Sequence, residues 1–465
     1  MYLCVLISSK ILSLLFLNQK TQIMKQKLIF LVCILFIAVT VWAQKPIPGQ
    51  YIVLLKETSA KPVIKDQKKN NNREQKANMN KVSREKNLNK VKQVQGKGNI
   101  KSSSVLNEFA DVLVGFTAKL NANEKKALES DADVAEVVQD YYVEIGPDLT
   151  EANPKDIGTI RDEMDHNHQA EVSQTLTGPN NGNFGIDNLF VKSDAANLAQ
   201  AQIVPCGIVK AGGFVDGSAK ATWIWILDTG IDTDHPDLNV QTNATYAKSF
   251  IAGETFEDGH GHGTHCAGTA AAKNNGFGVV GVSAGAKVVP VKVLSNAGTG
   301  SWSALLNGLN HVAMYDIPGD VISMSLGGYG YANCENSWAA LRDAIRNLGN
   351  AGTWVVMAAG NDNADANLNR PGCINGNRVY TIGGMSCQNT CYTNSNWNTS
   401  ASVPVDWVAV GVSVYSTCRG GGYCTKTGTS MATPHVAGIL HARNAPPLVA
   451  GTISCKGKTY NIARR

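Results

Sequence analysis

No apolar run in these 465 residues reaches the ~20 that a membrane-spanning helix needs. The one that comes nearest, Leu28 to Val41, has 14. That excludes a polytopic membrane protein. Glycine, at 45 of 465, falls far short of the one residue in three that a collagen requires. Low hydrophobicity is missing too, since 43% of the chain is apolar, so disorder throughout is excluded. No Cys-x-x-Cys pair repeats, which weakens any reading of the cysteines as a metal site. The length fits two or three domains around a large core.

Acidic residues are absent from one end. Residues 1–44 carry four lysines and no acid, and residues 45–100 carry 14 Lys and Arg against 4 acids. The remaining 101–465 hold 24 basic and 33 acidic residues, so a net +5 conceals a basic N-terminal part and an acidic body. The hint of a nucleic-acid partner in the total therefore disappears. Lys25 and Lys27, the apolar run and Val41-Trp42-Ala43 form a secretory signal peptide over 1–43 with cleavage after Ala43. Met24 is an alternative start, which would make 1–23 an extension ahead of a complete signal. A secreted, extracellular protein follows, without membrane association once mature.

Secretion makes disulfides the expected use of cysteine. Outside the leader lie nine: Cys206, Cys266, Cys334, Cys373, Cys387, Cys391, Cys418, Cys424 and Cys455. Nine is odd, so one stays free while up to four bridges form. Cys418 with Cys424, and Cys387 with Cys391, are spaced to close loops; sequence does not choose among the pairings.

Residues 44–147 read as β…βαβ, a small α+β domain. Its parts are a strand within Ile47–Lys56, a strand over Phe109–Lys119, a short helix over Asn121–Ser130 and a strand over Val134–Ile145. Between them, Lys56–Lys101 is rich in Lys, Asn and Gln and reads as a solvated surface segment, with a polar helical insertion as the alternative. Residues 148–202 are polar and aperiodic and read as a linker. From 203 to 465 apolar strands alternate with helical stretches. The strands are Trp223–Leu227, Val288–Val293, Val321–Ser325, Trp354–Ala358 and Val379–Ile382; the helices include Ser303–Met314 and Ser337–Leu348. The alternation predicts an α/β fold with a doubly wound, mostly parallel sheet.

Three segments carry chemistry. They are Leu227-Asp228-Thr229-Gly230, the stretch Asp258 to Gly268 containing His260, His262 and His265, and Gly428 to Gly438 containing Ser430 and His435. In a parallel sheet they fall at the carboxyl edge, where ligands bind. A serine hydroxyl needs an adjacent base, and an imidazole needs an acid to hold its tautomer. Asp, His and Ser in this chain order match one known order of such triads. Asp-Thr-Gly alone also suits an aspartic protease, but two copies are required and one is present. The three histidines could form a metal cluster, for which no second ligand group is evident.

Together these segments resemble the subtilisin-like serine proteases, most closely the proteinase K-like branch, over about 203–440 and more weakly over 44–147. The resemblance implies a subtilisin-like fold and a serine endopeptidase. Asp228 would orient the base, His262 would be the base and Ser430 the nucleophile. Asn361, in Ala358-Ala359-Gly360-Asn361, would donate to the oxyanion. Gly298, Thr299 and Gly300, with Ser325, Leu326 and Gly327, match the segments that pair with an extended peptide. Leu326-Gly327 and Ala358-Ala359-Gly360 would wall the first specificity pocket. With no acid in those walls, apolar or aromatic residues are expected before the cut bond. A free Cys266 suits that branch and the odd count.

The domain at 44–147 is similar to inhibitor-type propeptides, which implies an intramolecular inhibitor and chaperone of folding. Protein or peptide substrates, a monomer and no required cofactor follow. Asp406, with carbonyls near Val379, is the candidate ligand of a structural calcium. Trp223 and Trp225 stand where the family has smaller aliphatics, and Ala445-Pro446-Pro447 stops the last helix early. A binding protein on an inactive scaffold and an esterase on the same triad are the alternatives.

Overall fold

A computed structural model describes residues 45–58, 62–63, 72–145, 202–330, 338–399 and 403–465. The expected signal lies outside them, as does all of the expected linker except Gln202. The described residues from 46 to 465 fall in one compact unit. Among the described residues no helix is long and apolar enough to cross a membrane.

Strands β1 (Pro46–Leu55), β2 (Val105–Phe109), β3 (Gly115–Lys119) and β4 (Val134–Glu144) form an antiparallel sheet in the order β4-β1-β3-β2. Helices α1 (Arg73–Met79) and α2 (Lys81–Lys97) precede β2, and α3 (Ala122–Glu129) joins β3 to β4. Asn121 starts α3 with a reciprocal capping box to Glu124. Alternation along β1 divides its side chains between two cores. Val53 and Leu55 join Phe116, Val91, Val94 and Leu128 inside the small domain. Ile52 and Leu54 turn the other way, into a core shared with the larger domain.

Two expectations are corrected here. Where it is described, the polar stretch Lys56–Lys101 takes the helical alternative rather than that of an unstructured surface segment: it holds α1 and α2, with much of α2 exposed. Val91 and Val94 are buried, and polar anchors do the rest: Arg84 grips Asp111 through Nε and Nη2, and Asn87 donates to the Ala110 carbonyl. Such a helix depends on the surface it meets more than on an apolar stripe. Phe109–Lys119 is likewise not one strand: Phe109 ends β2, residues 110–114 turn the chain, and β3 returns antiparallel from Gly115.

The larger domain follows the predicted alternation. Its elements in order are β5 (Ile224–Asp228), α4 (His262–Ala271), β6 (Lys287–Lys292), β7 (Thr299–Ser301), α5 (Trp302–Tyr315), β8 (Val321–Met324), α6 (Ala339–Ala351), β9 (Trp354–Ala358), β10 (Val379–Met385), β11 (Val405–Val410), β12 (Val414–Cys418), β13 (Gly422–Lys426), α7 (Thr429–Arg443), β14 (Leu448–Cys455) and β15 (Lys458–Arg464). The main sheet runs β14-β15-β11-β10-β9-β8-β5-β6, with short pieces beside β6. All of these pair in parallel except β14, which returns antiparallel on β15.

Strand β5 shows why its apolar run is continuous. Ile224 and Ile226 enter the core that holds α4 and α7, while Trp225 and Leu227 enter the core that holds α5 and α6. Both faces of the sheet are covered, as parallel strands require. Helix α7 ends at Arg443, where Asn444 adopts the left-handed conformation ahead of Ala445-Pro446-Pro447. The hairpin β14–β15 beyond it has no counterpart in the sequence reading.

Cys418 bonds Cys424, as the short loop suggested. Cys387 and Cys391 do not bond each other: Cys387 joins Cys206, and Cys391 joins Cys455. Cys373 is disulfide-bonded as well, and Cys266 is the buried free thiol. The Cys391–Cys455 bridge fastens the terminal hairpin across 64 residues. Replacing both cysteines by serine is expected to cost about 2–4 kcal/mol. Denaturant unfolding of the double variant against the parent measures it.

Candidate active site

Strand β5 ends on Asp228 at the carboxyl edge of the sheet, and α4 begins on His262 immediately beside it. His262 Nδ1 lies 2.7 Å from Asp228 Oδ1, with both residues fully buried. The same carboxylate oxygen accepts from the Thr229 amide at 2.7 Å. Gly263 permits the approach, since a Cβ there would come within 2.1 Å of the Gly230 carbonyl. Burial acts to lower the His262 pKa, but the Asp228 charge overrides it and holds the imidazole well above its ordinary value.

The surrounding loop is held by residues to which sequence reading gave no role. Asp258 Oδ1 accepts from the amides of His260 and Gly261 and from Thr229 Oγ1, and Oδ2 accepts from Thr264. It thereby caps α4 and ties that helix to the end of β5. Lys292, at the end of β6, is fully buried; it donates to the Thr229 carbonyl and to Asn296 Oδ1 and pairs with Glu254 at 3.2 Å. A capping residue is read immediately before a helix, and Asp258 stands four residues ahead of His262, so the sequence carries no such signal for it. A lysine closing an apolar strand gives none either.

Ser430 sits in the first turn of α7, buried, and its hydroxyl donates to the Ser325 carbonyl at 3.2 Å. It does not bond His262, whose Nε2 has no partner in this structure. Long or missing bonds of this kind are common in such sites before substrate arrives. Ser325 Oγ donates to the Ser430 carbonyl at 2.8 Å, and the Cys266 thiol lies 4.0 Å from His262 Nδ1. Burial raises the Cys266 pKa, so it stands there as a neutral thiol.

Asn361 follows β9 and accepts through Oδ1 from the Thr429 amide at 2.8 Å and from its hydroxyl at 3.0 Å. An amide donor must face an oxygen, so the side-chain NH2 is the group left to donate beside the Ser430 turn. Gly360, at φ +99°, donates to Thr429 Oγ1, which fixes this corner to α7. Leu326, Ala358 and Ala359 are buried.

Gly298, Thr299, Gly300 and Gly327 are engaged by the chain itself. Strand β4 lies antiparallel on β7, with Tyr142 opposite Ser301, Val143 opposite Gly300 and Glu144 opposite Thr299. Glu144 also bridges Gly327, and the Ile145 amide donates to the Gly298 carbonyl at 3.0 Å. An extended segment of the small domain therefore lies between the two expected peptide-pairing segments.

The suggested histidine cluster does not form. His262 is bound to Asp228, and His265 Nε2 is 2.9 Å from the Val414 carbonyl. Among the described residues, the metal-type ligand atoms that converge belong to Asp228, His262 and Cys266, of which Asp228 and His262 already bond each other. His435, bonded to the Met431 carbonyl and lowered to about 4 by burial, is a neutral structural residue. Asp406 lies on β11, where Oδ2 accepts from the Thr381 amide at 2.8 Å and burial pushes its pKa up to about 7. No group of three acid, His or Cys ligands forms around it among the described residues. A calcium there would draw the rest of its six to eight oxygens from carbonyls and water.

A match to the model described as the subtilase family covers residues 219–443, and one to peptidase inhibitor I9 covers 50–146. The chain is 38% identical to Subtilisin amylosacchariticus of Bacillus subtilis subsp. amylosacchariticus over 54% of its own length and 63% of the relative's. It is 40% identical to the Cuticle-degrading protease of Metarhizium anisopliae, covering 48% of this chain and 54% of that one. It is 38% identical to Subtilisin of Bacillus pumilus, covering 51% of this chain and 83% of that one. The chain thus spans a little under two thirds of the first curated relatives it matches.

The Asp228–His262 contact makes a direct prediction. In Ser430→Ala protein, the His262 ring titrates above 6.5 by NMR. In Asp228→Asn, with burial left to act alone, its pKa falls below 6.5. An unchanged midpoint would show that the carboxylate does not control the imidazole.

Proposed function

The chain belongs to the subtilase family, and from that premise we propose that it is the zymogen of a secreted serine endopeptidase. In this reading residues 1–43 are the signal, 44–147 the pro-segment, 148–202 the linker and 203–465 the peptidase, acting as a monomer. Ser430 attacks the peptide carbonyl and His262 takes the hydroxyl proton. Asp228 holds the His262 tautomer and stabilises the cation. The C–N bond then breaks as His262 returns the proton to the leaving amine. Water repeats the sequence on the acyl-enzyme. The Asn361 amide and the backbone N–H groups at the start of α7 stabilise the oxyanion.

The observation that carries this reading is the strand 142–145 lying across Gly298, Gly300 and Gly327. Main-chain pairing of this kind is how an extended substrate is held, with pockets reading alternate side chains. The pro-segment occupies the cleft as a substrate does and inhibits until it is cut and released. Leu326, Ala358 and Ala359 favour apolar or aromatic residues before the cut bond.

Charge is divided differently from a basic N-terminal part and an acidic body. Residues 203–465 carry 17 basic and 15 acidic residues, so the acid excess belongs to 101–202 rather than to the peptidase. Attachment of the basic pro-segment then rests on local pairs more than on a general field.

An active-serine phosphonate is expected to label the secreted protein at Ser430, and Ser430→Ala to abolish casein hydrolysis. Asp228→Asn should lower kcat about 10⁴-fold, and Asn361→Ala about 10²–10³-fold. Because His262 must be neutral to act and its pKa is raised, kcat/KM should rise with pH along a limb above 6.5. N-terminal sequencing should place the mature start between 146 and 203. A protein unlabelled at Ser430 and inert on casein would overturn the reading.

We propose a structural calcium at Asp406 separately. A carboxyl raised to about 7 when folded stabilises the protein at low pH, and that stability is lost as pH rises from about 4 through 7. A bound cation would offset this loss. Millimolar calcium should therefore raise Tm at pH 8 more than at pH 5, and Asp406→Asn should remove the difference. An equal rise in both forms would overturn the site.

A further inference from the structure

Away from the cleft, Arg73 of α1 is almost wholly buried in a pocket whose polar atoms all belong to the larger domain. Its Nη2 donates to Asp320 Oδ1 at 2.8 Å and to the Ala221 carbonyl at 3.0 Å. Its Nη1 donates to Asp320 Oδ2 and, at 3.0 Å, to the Tyr315 carbonyl. The guanidinium carbon stands 3.7 Å from the centre of the Trp223 ring and 5.8 Å from that of Trp225. Asp320 is held by donors of its own domain, the Trp223 amide at 2.8 Å, Trp225 Nε1 at 2.9 Å and the Ile317 amide at 3.1 Å. The acid is therefore fixed in place independently of Arg73. One turn along α1, Lys76 reaches Asp316 in the same way.

The pocket has the features that select an arginine. A carboxylate meets the planar fork in two parallel bonds, two carbonyls take the remaining directions, and an aromatic face lies over the plane. An ammonium offers neither the plane nor the fork. The position is informative too. Asp320 immediately precedes β8, and Ser325 follows that strand's end, so the pocket is at the amino edge of the sheet, about 16 Å from the reacting edge.

We propose that the larger domain carries a guanidinium-binding site formed by Asp320, Trp223, Trp225 and the carbonyls of Ala221 and Tyr315, and that it is a second anchor for the pro-segment, independent of the cleft. The site stands on its own geometry; its role in delaying release rests on the protease reading above. With two anchors, cutting the chain near the cleft frees one end only. The cut pro-segment remains bound until Arg73 also leaves.

The site is tested in full-length Ser430→Ala protein, which stays in one piece. Adding Arg73→Ala should lower Tm by roughly 3–6 °C. Millimolar ethylguanidinium should restore much of this, saturably, while ethylammonium should not, and Arg73→Lys should recover little. In Arg73→Ala with Asp320→Asn the rescue should disappear. Should Arg73→Ala not accumulate as folded protein, Arg73→Met, which keeps the apolar stem, takes its place. An unchanged Tm, or equal rescue by both cations, would overturn the site. The anchor is tested in the active chain. After the chain is cut, Arg73→Ala should release activity roughly tenfold sooner or more, and an unchanged delay would overturn the anchoring role. A chain that never gains activity would count against the protease reading, while the Tm result would still decide the site.

Discussion

One buried hydrogen bond, Asp228 to His262, sets the terms for everything around it. A carboxylate with no access to water needs compensation, and an imidazole nearby supplies it only if their distance is held. The ends of β5 and α4 are therefore locked together through Thr229, Asp258 and Thr264. Gly263 lacks a side chain because the chain of Gly230 occupies that space. Lys292 adds a buried cation to the neighbouring loop and joins it to Asn296, beside the peptide-pairing segment. The acid–base pair and the cleft thus share one support.

The meeting of Asp228, His262 and Ser430 at one edge of the sheet was legible because each combines an identity with a position. A parallel sheet brings the ends of its strands to one edge, so an acid after a buried strand and two polar segments opening helices must meet there. The continuous apolar run of β5 was legible for a related reason, as its residues divide between two cores. The bond from Ser430 to Ser325 was not, since a hydroxyl's rotamer leaves no trace in sequence.

Other parts were hidden because their stability comes from distant partners. Helix α2 shows few apolar residues, and its contacts with Asp111 and Ala110 are set by the fold. Cys206 and Cys387 meet across 181 residues, a closure that loop spacing does not suggest. The hairpin β14–β15 follows a helix stop and pairs with a strand some fifty residues earlier. Trp223 and Trp225 looked like anomalies in a strand of aliphatics. Their rings also stand beside Arg73, which lies about 150 residues before them.

The pairing of β4 with β7 has a further meaning for the life of the molecule. Without β4, the backbone of β7 would be an exposed strand edge, and such edges recruit other chains indiscriminately. Here that edge is covered by a segment of the same polypeptide. That particular rim is therefore not vacant for a neighbour to join. The strand in the cleft thus acts as a guard against aggregation at the stage when many copies fold close together.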